Sequence, residues 1–114
     1  MAIGPAYTYT ARALRVVDGD TCLLEIQLGL RVATTQMIRL AHVNTPELKD
    51  AGGAAARDRF RELLAVEPLT VTTTRDRTEK FGRYLAVVVN ADGVDVGAQL
   101  LAEGMAVPYE SGRR

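Results

Sequence analysis

The 114-residue sequence holds one histidine, one cysteine, one serine and no tryptophan. Each scarcity removes a class of chemistry. With one serine and one histidine, a Ser-His-Asp triad, a two-histidine ribonuclease mechanism and a histidine-ligated zinc site are nearly excluded. The lone serine, Ser111, stands close to the C-terminus. Cys22 and His42 could form a thiolate pair on paper. Both sit in alternating apolar stretches, however, where a small buried thiol and an ordinary strand histidine are the simpler reading. A single cysteine makes no internal disulfide, so the fold does not depend on an oxidising compartment. Apolar runs such as Leu85 to Val89 are far too short to cross a bilayer. Met1 to Ala6 lack the basic-then-apolar order of a secretory signal. A cytoplasmic or phage-encoded protein is expected if the sequence is complete, and a secreted one if a signal has been removed.

Net charge is also missing: 14 basic side chains balance 14 acidic ones. Proteins that coat nucleic acid through a broad electrostatic footprint are usually basic. Any grip on phosphate must here come from a local cluster, which suits an enzyme that handles one or two phosphates.

What is present begins with period-two patterning. Tyr7 to Val17 reads as a strand, Asp18-Gly19-Asp20 as a tight turn, and Cys22, Leu24, Ile26 and Leu28 as the inward face of a second strand. Gly29 to Thr34 is expected to turn, and Met37 to Val43 to form a third strand ended by Pro46. Gly52 and Gly53 open a helix over about residues 54–65, with Phe60, Leu63 and Leu64 on one face. Leu69 to Thr74 and Tyr84 to Asn90 read as strands around a charged loop, Arg75 to Arg83. Asp95 caps a second helix over residues 96–103, stopped by Gly104. The fold class is therefore mainly β (α+β), in one domain over residues 1–114. A five-stranded oligonucleotide-binding (OB-fold) barrel with two packed helices has this layout, although strand order alone does not separate it from other small barrels.

Three short stretches carry the chemistry: Val17-Asp18-Gly19-Asp20-Thr21, Arg39 to Glu47, and Glu79-Lys80-Phe81-Gly82-Arg83. Side-chain oxygens from Asp20 and Asn44, with a nearby backbone carbonyl, suit Ca²⁺, which takes oxygen ligands in flexible geometry. Arg39 interrupts an apolar strand. It either points outward or offers a planar fork to a phosphate. Glu47 is either a base or a surface partner for Lys49. His42 is assigned no catalytic role.

In order and wording these stretches resemble the staphylococcal nuclease (thermonuclease) family, from about Tyr7 to Arg114. The resemblance implies the OB barrel, without the third helix that relatives usually add. It implies Ca²⁺-dependent hydrolysis of DNA or RNA with little sequence preference, leaving 3′-phosphate ends, by a protein expected to be a monomer. By the same resemblance Asp20, Asn44 and the Thr45 carbonyl would hold the ion, and Asp18 would act through a water. Glu47 would be the general base, and Arg39 and Arg83 would grip the phosphate. Lys80 and Phe81 would line the nucleotide site. Tyr109, in a final segment like that of a bacterial and phage branch, would stack on a base, with a barrel-edge tyrosine as the alternative. The family often has tyrosine at Phe81 and aspartate at Glu79. Asn44 departs from the charged ligand expected there, which leaves a rival: a non-catalytic module that binds nucleic acid or a protein. Few aromatic platforms, two phenylalanines and four tyrosines, weigh against that rival.

Overall fold

Alternating burial along the strands closes the sheet on itself. The computed structural model describes residues 7–109, so the readings for residues 1–6 and 110–114 lie outside it. In chain order the elements are β1 (Thr8–Val16), β2 (Thr21–Gly29), β3 (Val32–Leu40), β4 (Val43–Asn44), α1 (Gly53–Leu64), β5 (Leu69–Thr78), β6 (Tyr84–Val89), α2 (Val96–Ala102) and β7 (Val107–Pro108). Strands β1-β2-β3-β6-β5 form a closed barrel, parallel only where β3 meets β6. This is the expected five-stranded OB-type barrel with two helices.

Cys22, Leu24 and Ile26 point inward with Ile38, Leu40, Val71 and Val88. Helix α1 closes one end because Ala56, Phe60, Leu63 and Leu64 recur at helical spacing and are all buried. Phe60, wholly buried, contributes roughly 2–3 kcal/mol by removal from water. Asn90 ties the helix to the sheet: its amide nitrogen donates to the Leu63 carbonyl (3.1 Å), and its oxygen accepts from Asp92 and Val94 N–H groups. Asp95 caps α2 by accepting from the Ala98 N–H at 3.1 Å, as its sequence position suggests.

Three boundaries differ from the sequence reading. The turn after β2 is only Leu30-Arg31, both with positive φ (56° and 67°), so β3 starts at Val32. Leu-Arg carries none of the Asn or Gly signals of such a two-residue hairpin. In consequence Leu28 sits near the hairpin tip and is half exposed, not inward. The third strand stops at Leu40, because His42 adopts φ 71° and turns the chain into the separate two-residue strand β4. Strand β5 runs on to Thr78 through an irregularity, where Asp76 accepts hydrogen bonds from the Tyr9 and Thr73 hydroxyls. The first four residues of the expected charged loop, 75–78, are therefore strand.

Candidate active site

The turn between β1 and β2 and the end of β3 are hydrogen-bonded neighbours, which brings the first two stretches together. Thr21 lies opposite Arg39 in the β2–β3 ladder, and the Leu40 N–H donates to the Asp20 carbonyl at 2.8 Å. Gly19 allows the loop after β4 to come close. A Cβ there would lie 2.6 Å from the Thr45 hydroxyl and 2.8 Å from Ala56. With that space free, the buried Asp20 carboxylate reaches the loop. Its Oδ2 accepts from the Thr45 N–H (3.0 Å) and hydroxyl (3.2 Å), while Oδ1 accepts from the Thr21 hydroxyl (3.2 Å). Asp18 accepts from the Asp20 N–H at 3.1 Å, and burial raises the pKa of its carboxyl.

Arg39 points inward beside these acids, not out to solvent, with its side chain only 8% exposed. Its Nη1 donates to the carbonyls of Leu40 (2.6 Å) and Val43 (2.9 Å). Its Nη2 donates to the Asn44 amide oxygen (3.1 Å) and lies 3.7 Å from Asp20. The Tyr109 ring centroid is 5.5 Å from the guanidinium carbon. Tyr109 is brought there by the β4–β7 pairing and by its N–H, which donates to the His42 carbonyl at 2.8 Å. His42 thus has a structural use through its main chain.

The third stretch arrives across the sheet. Arg83 Nη1 donates to the Thr21 hydroxyl at 3.3 Å, and the rest of its fork is held by Glu79. Phe81 is 70% exposed, with Lys80 Nζ 5.2 Å and the Arg83 guanidinium carbon 5.3 Å from its ring centroid. Arg39, Arg83, Lys80, Phe81 and Tyr109 all border one cavity of about 680 Å³. Arg77 also lines it, a residue that sequence reasoning passed over. Thr21 was passed over too, although its hydroxyl links Asp20 to Arg83.

Glu47 stands apart from this group. Its side chain is 74% exposed and lies 3.7 Å from Lys49, and among the described residues no hydrogen bond or ion pair joins it to Asp20, Arg39 or Arg83. Its main chain is nevertheless fixed. The Glu47 carbonyl accepts from the Asp50 N–H at 2.9 Å, and Gly53 packs so closely on that carbonyl that a Cβ would collide with it.

Among the described residues no three His, Cys, Asp or Glu side chains gather as a metal cluster. If Asp20, Asn44 and the Thr45 carbonyl held an ion, they would present an all-oxygen set with one formal charge. That chemistry fits a hard cation such as Ca²⁺ and is poor for zinc. Asp20 Oδ2 already accepts from Thr45 and Asn44 Oδ1 from Arg39, so a bound ion would share these side chains with those donors.

The family model described as staphylococcal nuclease homologue matches residues 37–114. The chain belongs to the staphylococcal nuclease family. The matched stretch takes in Arg39, Asn44, Glu47 and Arg83, whereas Asp18 and Asp20 precede it. Among curated relatives, an uncharacterized endonuclease of Escherichia coli O157:H7 is 33% identical over 99 residues, covering 87% of this chain and 60% of that protein. A micrococcal nuclease of Shigella flexneri is 28% identical, covering 92% of this chain and 62% of its own. Endonuclease YhcR of Bacillus subtilis is 32% identical over 107 residues, which is 8% of its length. This nuclease-family chain thus spans about three fifths of the first two relatives.

Proposed function

We propose that this chain is a Ca²⁺-dependent phosphodiesterase that cuts DNA or RNA with little sequence preference and leaves 3′-phosphate ends. The observation that carries the reading is the convergence of Arg39 and Arg83 on one cavity, on either side of Thr21 and beside the buried Asp20. Two guanidinium groups held in place before substrate arrives can stabilise charge that builds on a pentacoordinate phosphorus. Fixed donors of this kind usually give the largest single catalytic contribution. Phe81 and Tyr109 offer rings to the flanking nucleosides, while Arg77 and Lys80 add positive charge along the cavity. These groups address phosphate and ring faces, not base edges, so loose sequence preference follows.

Asp20, Asn44 and the Thr45 carbonyl would hold the ion, with Asp18 acting through a water. When bound, Ca²⁺ neutralises charge on the phosphate and polarises it. The water oxygen bonds to phosphorus as the bond to the 5′-oxygen breaks, the leaving oxygen takes a proton from solvent, and Glu47 takes the proton of the attacking water. Its exposed side chain, on a fixed main chain, can leave Lys49 and swing toward the cavity at little cost, because exposed ion pairs are weak. The relatives named endonuclease and micrococcal nuclease support the same activity.

A second reading, a binding module without catalysis, is favoured by one observation. Asn44 is neutral, and its oxygen is already engaged by Arg39. One assay separates the two. Purified protein is incubated with single-stranded DNA and with RNA, in Ca²⁺ or in excess chelator, and the ends are analysed. The nuclease reading expects 3′-phosphate ends only with Ca²⁺, and a loss of turnover on the order of 10²–10⁴-fold in Glu47→Gln. Binding without cleavage in Ca²⁺ would establish the module instead.

A further inference from the structure

Glu79 is the most heavily used carboxylate around the cavity. Its Oε1 accepts from the Phe81 N–H (3.0 Å), the Arg83 N–H (2.9 Å) and Arg83 Nε (3.1 Å), and its Oε2 accepts from Arg83 Nη2 (2.9 Å). Its side chain is 14% exposed. The two oxygens therefore take the side of the guanidinium made by Nε and Nη2. What remains is the end-on pair, Nη1 and the second hydrogen of Nη2. Nη1 is already directed at the Thr21 hydroxyl, next to Asp20. A guanidinium can grip an oxyanion by its side or by its end. With the side taken, only the end is left for a phosphate.

We propose that Glu79 is a positioning residue: it fixes the Arg83 fork so that a phosphate is gripped end-on, from the Thr21–Asp20 side of the cavity. This rests on the nuclease reading and deepens it. The arrangement sacrifices some of the positive potential of Arg83. In return the side-chain order is settled before substrate binds, where an unrestrained arginine would lose conformational freedom on binding. The carboxyl has its pKa lowered to about 2, chiefly by the hydrogen bond from Arg83, so the clasp stays ionised at any ordinary pH.

Glu79→Gln is the variant to make. It keeps one oxygen to receive the Phe81 and Arg83 N–H groups but sets an amide NH₂ against Arg83 Nη2. In the Arg83 background, kcat/KM should fall about tenfold or more. In an Arg83→Ala background, read in single turnover with excess enzyme, the same change should cost less than twofold, because residues acting as one unit are not additive. An equal loss in both backgrounds would overturn the proposal and make Glu79 a loop-building residue only. A rise in activity would also overturn it, by showing Glu79 to be an inhibitory counter-ion. A second readout needs no catalysis. The Arg83 Nε–H signal in NMR should exchange with water at least tenfold more slowly in the parent than in Glu79→Gln, and equal exchange would overturn the clasp. Absence of cleavage by the parent protein would sink the nuclease reading while leaving this measurement decisive for Glu79.

Discussion

Arg39 and Arg83 border the same cavity from different supports. Arg39 rises from a barrel strand and spends its donors on the carbonyls of Leu40 and Val43 and the amide of Asn44, under the ring of Tyr109. Arg83 precedes β6 and is clasped by the single side chain of Glu79. Carbonyl anchors cancel little of a guanidinium's charge, and the carboxylate near Arg39, Asp20, stands off at 3.7 Å. A carboxylate at hydrogen-bond distance holds a guanidinium more tightly but cancels much of the charge. The first arrangement ties a guanidinium to the fold itself, whereas the second leaves it adjustable through one neighbour.

The strongest way to break the comparison is to shorten both forks. Arg39→Lys should lower turnover on the order of 10²–10³-fold, the usual cost of losing a preorganised donor, and destabilise the fold by about 2 kcal/mol as buried carbonyls lose partners. Arg83→Lys should lower turnover about tenfold with stability within about 1 kcal/mol of the parent. Steady-state kinetics beside urea unfolding checks both, and equal destabilisation by the two variants would erase the distinction.

Asn44→Asp sharpens it differently, by setting a carboxylate at direct hydrogen-bond distance from Arg39, nearer than Asp20 at 3.7 Å. If Asn44 ligates, calcium affinity should tighten about ten- to a hundredfold, or roughly 1–3 kcal/mol. Cleavage should rise at limiting calcium, with the gain shrinking at saturation. Calorimetry with a calcium titration of cleavage tests this, and an unchanged affinity would remove Asn44 from the ligand set.

Acid should affect the two supports unequally. Glu79 has a folded pKa of about 2, below its ordinary value of 4.5, so its stabilising effect is complete above that ordinary value and is lost as pH falls toward 2. The stability difference between the parent and Glu79→Gln should thus be flat above about pH 5 and fade below it. Its size should be on the order of 1 kcal/mol after allowance for solvent screening. The carbonyl anchors of Arg39 do not titrate and add no such component. Unfolding curves at several pH values read this out. The smallest effect is expected at Tyr109. Tyr109→Phe should keep the stack on Arg39, and Tyr109→Leu should weaken it by about 0.5–1 kcal/mol, a few-fold in turnover.

Most strands and helices were legible because alternation and turn chemistry agree along most of the chain, while the family resemblance singled out the barrel. Cys22, Leu24 and Ile26 announced an inward face, Phe60, Leu63 and Leu64 a helix face, and Asp95 a cap. The hairpin at Leu30-Arg31 and the break at His42 were hidden because backbone with positive φ was assigned to residues that carry no signal for it. Of the candidate site, the residues themselves pointed to the acidic oxygens and to Arg39, and the family resemblance pointed to Arg83. Composition and spacing could not say which way Arg39 faces, since a strand offers two sides and only the bend at His42 brings the Val43 carbonyl around to it. Arg77 and Thr21 were missed because their placement depends on the β5 irregularity and on the β2–β3 register. The position of the Glu47 side chain depends on a loop conformation that no periodicity encodes.

The small β4–β7 pair has a consequence in time. Val43 and Asn44 find their partners, Val107 and Pro108, only near the far end of the described chain. A contact so distant in sequence closes late, after local hairpins and helices have formed. During synthesis the barrel's first hairpin leaves the ribosome long before the strand that brings Tyr109 over Arg39. Completion of the arginine's surroundings is therefore deferred until almost the whole domain has emerged, and a chain halted part-way carries Arg39 without its lid.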